Sequence, residues 1–462
     1  MCGIVGLIDN VDGCVSKELI KTMNDIMISR GPDGDGYYFE GNLGLAMRRL
    51  SIIDLCNGWQ PFFSNDKLVV AFQNGEIYNY LELKKQLVAL GYQFISNSDT
   101  EVLAHGYAAW GIEKLLSQVE GMYAIAILDR KKQTLYLARD RFGEKPLFYS
   151  YKHGRFAYSS NLLALAALPW VSDGVDPIAI NRYLALHYIP GDKTILKDIF
   201  RVLPGEYLTI PIHHPIPQRS KYYFLPTEKI VSISQDELGR TIEKAVASRL
   251  VADVPVGVFL SGGLDSSIVA AVASKYNHNI STFSMGFTSS EHDESIYAAR
   301  LAKHIGSSHH EFMFDENSFR TLLPLVAESL DEPIGDQALL PLFWLCREAK
   351  NHVTVVLSGE GADEIFAGYS YYRIFCDNLG WREKIKALLG KTTTKHETLK
   401  TLIANKVPIT PSGFPLLTDQ MDRERLMGQR ITNVDNWEEV VLESCTKAQN
   451  SLQRATAADI LT

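Results

Sequence analysis

Two stretches of the chain share one pattern: an apolar run, a glycine-rich polar loop, then a helix-like run. In the first, Val256-Gly257-Val258-Phe259-Leu260 leads into Ser261-Gly262-Gly263-Leu264-Asp265-Ser266-Ser267 and on to Ile268-Val269-Ala270-Ala271-Val272-Ala273. In the second, Val353-Thr354-Val355-Val356-Leu357 leads into Ser358-Gly359-Glu360-Gly361-Ala362-Asp363-Glu364. Each reads as a buried strand, a tight loop and a helix. Strand-like and helical runs alternate across this half, including residues 281–287 and a helix ending near His304. That alternation predicts an α/β fold with a doubly wound parallel sheet. The first half is patterned differently. Residues 121–129 and 135–140 alternate as sheet strands, 68–72 is strand-like, and Ser98-Asp99-Thr100-Glu101 opens a helix with a capping pattern. Between the halves, Ile210-Pro211-Ile212-His213-His214-Pro215-Ile216-Pro217 reads as an extended, proline-stiffened connector. Residues 380–405 read as lysine-rich amphipathic helices. The expected organisation is a first domain over 2–205, a linker over 206–228 and a second domain over 229–462.

Composition narrows the class. A chain of 462 residues is too long for one ordinary core, which predicts two or three domains. A hydrophobic content of 46% with 22% charged residues is that of a globular protein. The net charge of −8 argues against nucleic acid or an anionic membrane as the main partner. No apolar run approaches the length of a membrane span, and the acidic Asp9 near the start does not fit a signal peptide. The six cysteines lie far apart and form no Cys-x-x-Cys pair, which argues against disulfides and structural zinc and for a reducing cytoplasm.

Candidate chemistry gathers at three places. In the loop at 261–267, Gly262 and Gly263 permit close backbone approach, and the helix-start N–H groups with the serine hydroxyls suit phosphate oxygens. Asp265 would repel bare phosphates and makes sense with Mg²⁺ in between. The plain alternative is a glycine turn with capping residues. The loop is not a Walker motif, because no Gly-Lys-Ser/Thr follows. In the second loop, Glu360, Asp363 and Glu364 would repel one another without a cation nearby, and Asp363 with Asp265 could hold Mg²⁺. Met285, at the end of a strand, is placed to touch an adenine, with a core role equally open. At the chain start, removal of Met1 would expose Cys2 with its own α-amine, pairing a thiol nucleophile with a base that titrates at roughly 7.7–8.0. The alternative is a small buried hydrophobe opening a strand.

Behind Cys2 come Arg30-Gly31-Pro32-Asp33-Gly34, Arg49-Leu50-Ser51-Ile52-Ile53-Asp54, Gln60-Pro61, Asn74-Gly75-Glu76-Ile77-Tyr78-Asn79-Tyr80 and Ser98-Asp99-Thr100-Glu101. This ordered set resembles the class II glutamine amidotransferase domain over roughly the first 160 residues. The resemblance implies an α+β four-layer sandwich of the N-terminal-nucleophile type. It makes Cys2 the nucleophile, with the Asn74 amide and Gly75 N–H as oxyanion donors. Arg49 would receive glutamine's carboxylate and Glu76 and Asp99 its ammonium, with Leu50, Ser51, Ile52 and Ile53 lining the pocket. Taken singly, Asn74-Gly75 is a hairpin turn, Arg49 a surface salt bridge and Asp99 a helix N-cap. One departure appears: at Ser159-Ser160-Asn161, Asn161 stands where the family carries a glutamate.

The loop at 261–267 resembles the pyrophosphate loop of enzymes that cleave ATP to AMP and pyrophosphate. With the loop at 358–364, the likeness is to the glutamine-dependent asparagine synthetase family, over nearly the whole chain. It implies ATP bound by Leu260, Ser261, Gly262, Gly263, Leu264, Asp265, Ser266, Ser267, Met285, Ser358 and Gly359. Mg²⁺ would sit at Asp265 and Asp363 as cofactor, and Glu360 would orient the acyl-adenylate or the incoming amine. The implied small-molecule partners are glutamine, aspartate and ATP. A homodimer is one alternative that the chain alone does not decide. The resemblance implies a further helical region beyond Thr462, with a lysine that assists the adenylate and amide-forming steps, and no position here matches it. Two other functions stay open: amidation of a different carboxylate, and a glutaminase or scaffold with an incomplete second domain.

Overall fold

The computed structural model describes residues 1–225, 232–287, 293–369 and 420–427, so the expected helices at 380–405 lie outside the described residues. The chain divides into two units. The first takes Met1–Glu228 with Asp331–Ile334 and the described helix at 420–427; the second takes Lys229–Leu330 and Gly335–Gly368.

The first unit contains two six-stranded sheets. One holds β1 (Gly3–Asp9), β2 (Gly34–Glu40), β3 (Leu43–Arg49), β8 (Phe148–Lys152), β9 (Arg155–Ser159) and β10 (Phe200–Arg201), in the order β10-β8-β9-β1-β3-β2. The other holds β4 (Phe62–Phe63), β5 (Val69–Ile77), β6 (Gly121–Asp129), β7 (Thr134–Arg139), β11 (Glu206–Pro211) and β12 (Gln218–Lys221), in the order β12-β11-β7-β6-β5-β4. All strand pairs in these two sheets are antiparallel.

The period-two side-chain pattern explains the layers. Ile4 and Ile8 of β1, Leu45 and Met47 of β3, Val70 and Phe72 of β5, and Ala124 and Ala126 of β6 form one core between the sheets. The intervening positions face outward. Val5 and Leu7 pack with Ile20 and Met23 of α1 (Lys17–Asp25) and Leu162 of α4 (Leu162–Ala166). Ala71, Tyr123 and Ile125 pack with Leu83 of α2 (Tyr80–Ala89) and Val102 and Leu103 of α3 (Glu101–Gln118). The result is helix, sheet, sheet, helix, the four-layer sandwich expected.

Two expectations for this unit are corrected. The segment 206–221 is not a connector. β11 pairs with β7 and with β12, because Leu208 and Ile210 alternate into the inter-sheet core despite the flanking prolines. Asn161 does not leave a gap where a glutamate was expected. It caps α4 through Ala164 N (3.0 Å), and its Nδ2 donates to Asp331 Oδ1 at 2.6 Å.

The second unit has a four-stranded parallel sheet: β13 (Val256–Phe259), β14 (Ser281–Phe287), β15 (Ser308–Phe314) and β16 (Val355–Leu357), ordered β15-β14-β13-β16. It is covered by helices that include α6 (Gln235–Arg249), α7 (Leu264–Tyr276), α8 (Ser295–Ile305) and α10 (Leu339–Ala349). The chain steps outward from β13 to β14 and β15, then returns to the other side of β13 as β16. The switch point therefore lies between the carboxyl ends of β13 and β16, where an open α/β sheet forms its binding crevice.

Gly6 on β1 faces the inter-sheet core, and a Cβ there would overlap the Tyr158 ring and stand 2.8 Å from Leu45 Cδ2. Gly6→Ala is expected to destabilise the first unit by about 1–3 kcal/mol through overpacking. Calorimetry of the full chain should show a transition moved to lower temperature, while an unshifted trace would contradict this packing.

Candidate active site

Cys2 directly precedes β1 and shares the parity of Ile4 and Ile8, so it packs against the core between the sheets. Its Sγ accepts from the Leu50 N–H at 3.4 Å and lies 3.6 Å from the Leu50 carbonyl. From the opposite sheet, Asn74 of β5 has the parity of Val70 and Phe72 and faces the same layer. Ser160 Oγ accepts from both Ile4 N and Asn74 Nδ2, each at 3.1 Å, and thereby ties the strand that follows Cys2 to the amide. Asn74 Oδ1 is buried with no hydrogen-bond partner. Gly75 has φ +147°, and a Cβ there would collide with the Met122 carbonyl. Asn74-Gly75 is thus not a hairpin turn: it lies inside β5, opposite Ala124 and Tyr123.

Two buried carboxylates complete this pocket. Asp99 Oδ2 accepts from Ile77 N (2.8 Å) and Gln73 Nε2 (2.9 Å), so it is a cross-element anchor and not the cap of α3. Glu76 Oε2 is buried without a partner. Burial holds both groups above the usual carboxylate range, and for Glu76 the negative charge of Asp99 adds to the rise. Such a pair is electrostatically prepared for a cation.

Burial also pushes the Cys2 thiol up, so the thiol needs a base. The α-ammonium at the chain start is lowered to about 6, chiefly by burial, with Arg30 and Lys145 contributing. An amine in this setting is largely unprotonated at neutral pH.

Arg49 is 3% exposed, and its guanidinium is not a surface salt bridge. Nη2 donates to Asp54 O (2.7 Å) and Ile53 O (3.2 Å), Nη1 donates to Leu55 O (3.3 Å), and the group lies 5.0 Å over the Trp59 ring. It holds the 50–55 loop in shape, and Ser51 N anchors the same loop to Asp33 Oδ2 at 2.7 Å. Ile52 is half-buried in this loop, and Ile53 packs on the core beside α2 and α3.

In the second unit, the two glycine loops meet. A Cβ on Gly359 would stand 2.7 Å from Ser266 N and 3.0 Å from Asp265 Cβ, so only glycine allows this contact. Gly262 has φ +87°, and a Cβ there would stand 2.7 Å from Tyr297 Cβ. The loop serines bond within the loop: Ser261 Oγ and Ser266 Oγ are 2.9 Å apart, Gly263 N donates to Ser261 Oγ (3.2 Å), and Glu360 N donates to Ser358 Oγ (3.4 Å). Ser267 N continues into the first turn of α7 through Gly263 O at 3.1 Å. Leu264 at the head of α7 is exposed, whereas Leu260 is a core residue whose N–H donates to Phe283 O at 2.8 Å. Met285 packs on the cluster of Phe283 and Leu345. Glu360 is raised by burial, with Glu364, Asp336 and Asp363 adding to it.

Sequence reasoning placed Leu50 in the pocket but not its amide beside the thiol, and it did not single out Ser160 as the tie to Asn74 or the bond from Arg30 Nε to the Cys2 carbonyl at 3.3 Å. The polar run Ser159-Ser160-Asn161 ending an alternating strand is the one visible signal among them.

A thiol at residue 2 beside the core between two antiparallel sheets, in one chain with paired glycine loops at a parallel-sheet switch point, defines a two-site α/β protein of amidotransferase architecture. Residues 1–223 match the glutamine amidotransferase domain family and residues 237–460 the asparagine synthase family. The chain is 37% identical over 380 residues to asparagine synthetase [glutamine-hydrolyzing] 1 of Bacillus subtilis (strain 168), covering 81% of this chain and 60% of that one. It is 34% identical over 395 residues to putative asparagine synthetase [glutamine-hydrolyzing] 2 of Methanocaldococcus jannaschii, covering 80% and 76% respectively. Against asparagine synthetase [glutamine-hydrolyzing] 3 of Bacillus subtilis it is 31% identical over 447 residues, covering 90% and 72%. Among solved structures, the allosteric regulatory enzyme of purine biosynthesis matches at 15% identity and a TM-score of 0.38, over 68% of this chain and 80% of that one. The chain belongs to the glutamine-hydrolysing asparagine synthetase family.

Because Glu76 holds its proton more tightly when folded, stability falls as pH rises from the ordinary glutamate range toward the raised value. Glu76→Gln removes that loss. Its unfolding temperature should exceed that of the parent protein at about pH 8 and match it near pH 4, measured without ligand; equal values at both pH settings would contradict the buried charge.

Proposed function

We propose that the protein hydrolyses glutamine at Cys2 and uses the ammonia in its second unit to convert aspartate to asparagine, with ATP cleaved to AMP and pyrophosphate. The observation that carries the first reaction is the Cys2 thiol held by the Leu50 amide, with Asn74 and Gly75 supplied by the facing sheet. After Met1 is removed, the S–H proton of Cys2 passes to its own α-amine and sulfur attacks the side-chain amide carbon. The Asn74 Nδ2 and Gly75 N–H groups receive the negative charge that forms on the carbonyl oxygen. The C–N bond breaks, the amine returns the proton to the leaving ammonia, and water resolves the thioester to glutamate. Glu76 and Asp99 bind the substrate ammonium, which offsets the cost of burying two carboxylates. Arg49 supplies the positive charge for the carboxylate while it shapes the 50–55 loop.

At the second site, the loops at 261–267 and 358–363 hold the nucleotide. The donor set fits Mg²⁺, since Asp265 and Asp363 offer hard carboxylate oxygens on loops that abut at Gly359. These two residues would hold the ion, which would supply charge neutralisation at the pyrophosphate. Aspartate's side-chain carboxylate attacks the α-phosphorus of ATP, releasing pyrophosphate and forming β-aspartyl-AMP. Ammonia then displaces AMP, with Glu360 near the incoming nitrogen. The chain spans 60% of the length of the first Bacillus subtilis relative, so this second reaction rests on the loops that are present. Among the described residues no helix is long and apolar enough to cross a membrane. Wide cysteine spacing supports a cytoplasmic location.

Cys2→Ala is expected to abolish asparagine formation from glutamine while leaving asparagine and AMP formation from ammonium, aspartate, ATP and Mg²⁺ within about twofold of the parent protein. Loss of both activities would contradict the division between the two sites. AMP formed with another carboxylate and not with aspartate would redirect the acceptor.

A further inference from the structure

Lys145 is a buried lysine that neither reaction uses. It is 6% exposed, and its Nζ donates to the Met1 Sδ at 3.3 Å. Its backbone is fixed on both sides. The Lys145 N–H donates to Asp140 Oδ2 (3.0 Å), and its carbonyl accepts from Arg139 Nε (2.8 Å). Asp140 also collects the N–H groups of Phe142 (3.1 Å), Glu144 (2.9 Å) and Tyr123 (3.2 Å). Arg139 further donates to Gly143 O (2.6 Å) and Val202 O (2.9 Å), and the turn passes through Gly143 at φ +70°. A loop staged by this many fixed bonds presents the Lys145 head in one place, against the first residue of the chain.

Resting on the proposed glutamine hydrolysis, we infer that Lys145 is a positioning residue for the nucleophile: its ammonium lines the space vacated by Met1 and keeps the Cys2 α-amine unprotonated. Excision of Met1 removes the sulfur that Nζ contacts and moves the chain's amine to Cys2. Burial lowers the pKa of Lys145 itself, while Glu144, Asp140 and Glu76 favour its charged form and Arg30 opposes it; a positive charge beside an amine disfavours that amine's protonated form, and beside a thiol it favours the thiolate. Both effects speed transfer of the thiol proton. The groups facing the terminus are Cys2, Arg30, Lys145 and Asp33, and Glu76 and Asp99 face the thiol. Arg30, whose Nε donates to the Cys2 carbonyl at 3.3 Å, is the other cation at this end, and Lys145 adds a second. The Met1 amine at this place is lowered to about 6, chiefly by burial, with Arg30 and then Lys145 adding to it.

The test compares the parent chain with Lys145→Met, which keeps most of the stem, and Lys145→Arg, which keeps the charge. Two pH profiles are measured on the full chain: kcat/KM for glutamine hydrolysis, and the rate of Cys2 alkylation by iodoacetamide, which needs no turnover. In Lys145→Met the acid limb of both profiles should move up by about one pH unit, roughly a tenfold loss below the limb, and Lys145→Arg should restore it. A limb that stays in place in Lys145→Met, with activity unchanged or lowered equally at every pH, would overturn the inference and leave Lys145 a packing residue. If the parent chain does not hydrolyse glutamine yet its alkylation limb moves as stated, the role of Lys145 stands and the proposed activity falls.

Discussion

The first unit depends on one constraint: the chain begins as a central strand, antiparallel to a neighbour on each side. β1 is held between β3 and β9, so its register cannot slip without breaking both ladders. A shift of one residue would turn Ile4 and Ile8 out of the inter-sheet core and swing the Cys2 thiol toward the helices. Strand pairing that buries the core thus also aims the nucleophile. The same parity operates on β5, where Asn74 and Glu76 continue the face of Val70 and Phe72. Ser160, bonded to both strands, links the two sheets at the reacting end.

Electrostatics follows from this burial. Once the chain start lies between sheets, every charge near it is removed from water, and each must be satisfied by protein or by substrate. Asp99 meets this with two N–H donors, whereas Glu76 keeps an oxygen without a partner. In the proposed glutamine hydrolysis, the ammonium of the substrate meets this carboxylate pair. The second unit solves a similar problem with backbone. Its glycines let one loop touch the other at Gly359 and Ser266, and Glu360 sits near the carboxylates of Glu364, Asp336 and Asp363.

Much of this was legible in the residues because local pattern and global fold agree. Alternating runs at 121–129 and 135–140, and the two strand–loop–helix stretches, placed both halves of the fold. Legibility failed where a side chain's partner lies far along the chain. Asp99 resembles a helix cap until β5 provides Ile77 N and Gln73. The prolines around 211–217 suggested a connector, yet Leu208 and Ile210 carry the alternation that makes β11 a strand. The contacts of Lys145 and Arg30 cannot be read locally, because their partners at the chain start lie more than a hundred residues away for one and 28 residues away for the other.

The account rests on Cys2 as a terminal, amine-bearing nucleophile, and labelling it tests that claim most directly. The full chain is treated with a diazoketone analogue of glutamine and its N-terminal peptide is read by mass spectrometry. The account predicts one adduct per chain, on a peptide that begins at Cys2, with protection by excess glutamine. A label on another residue, or a peptide that still begins with Met1 in protein that hydrolyses glutamine, would contradict it.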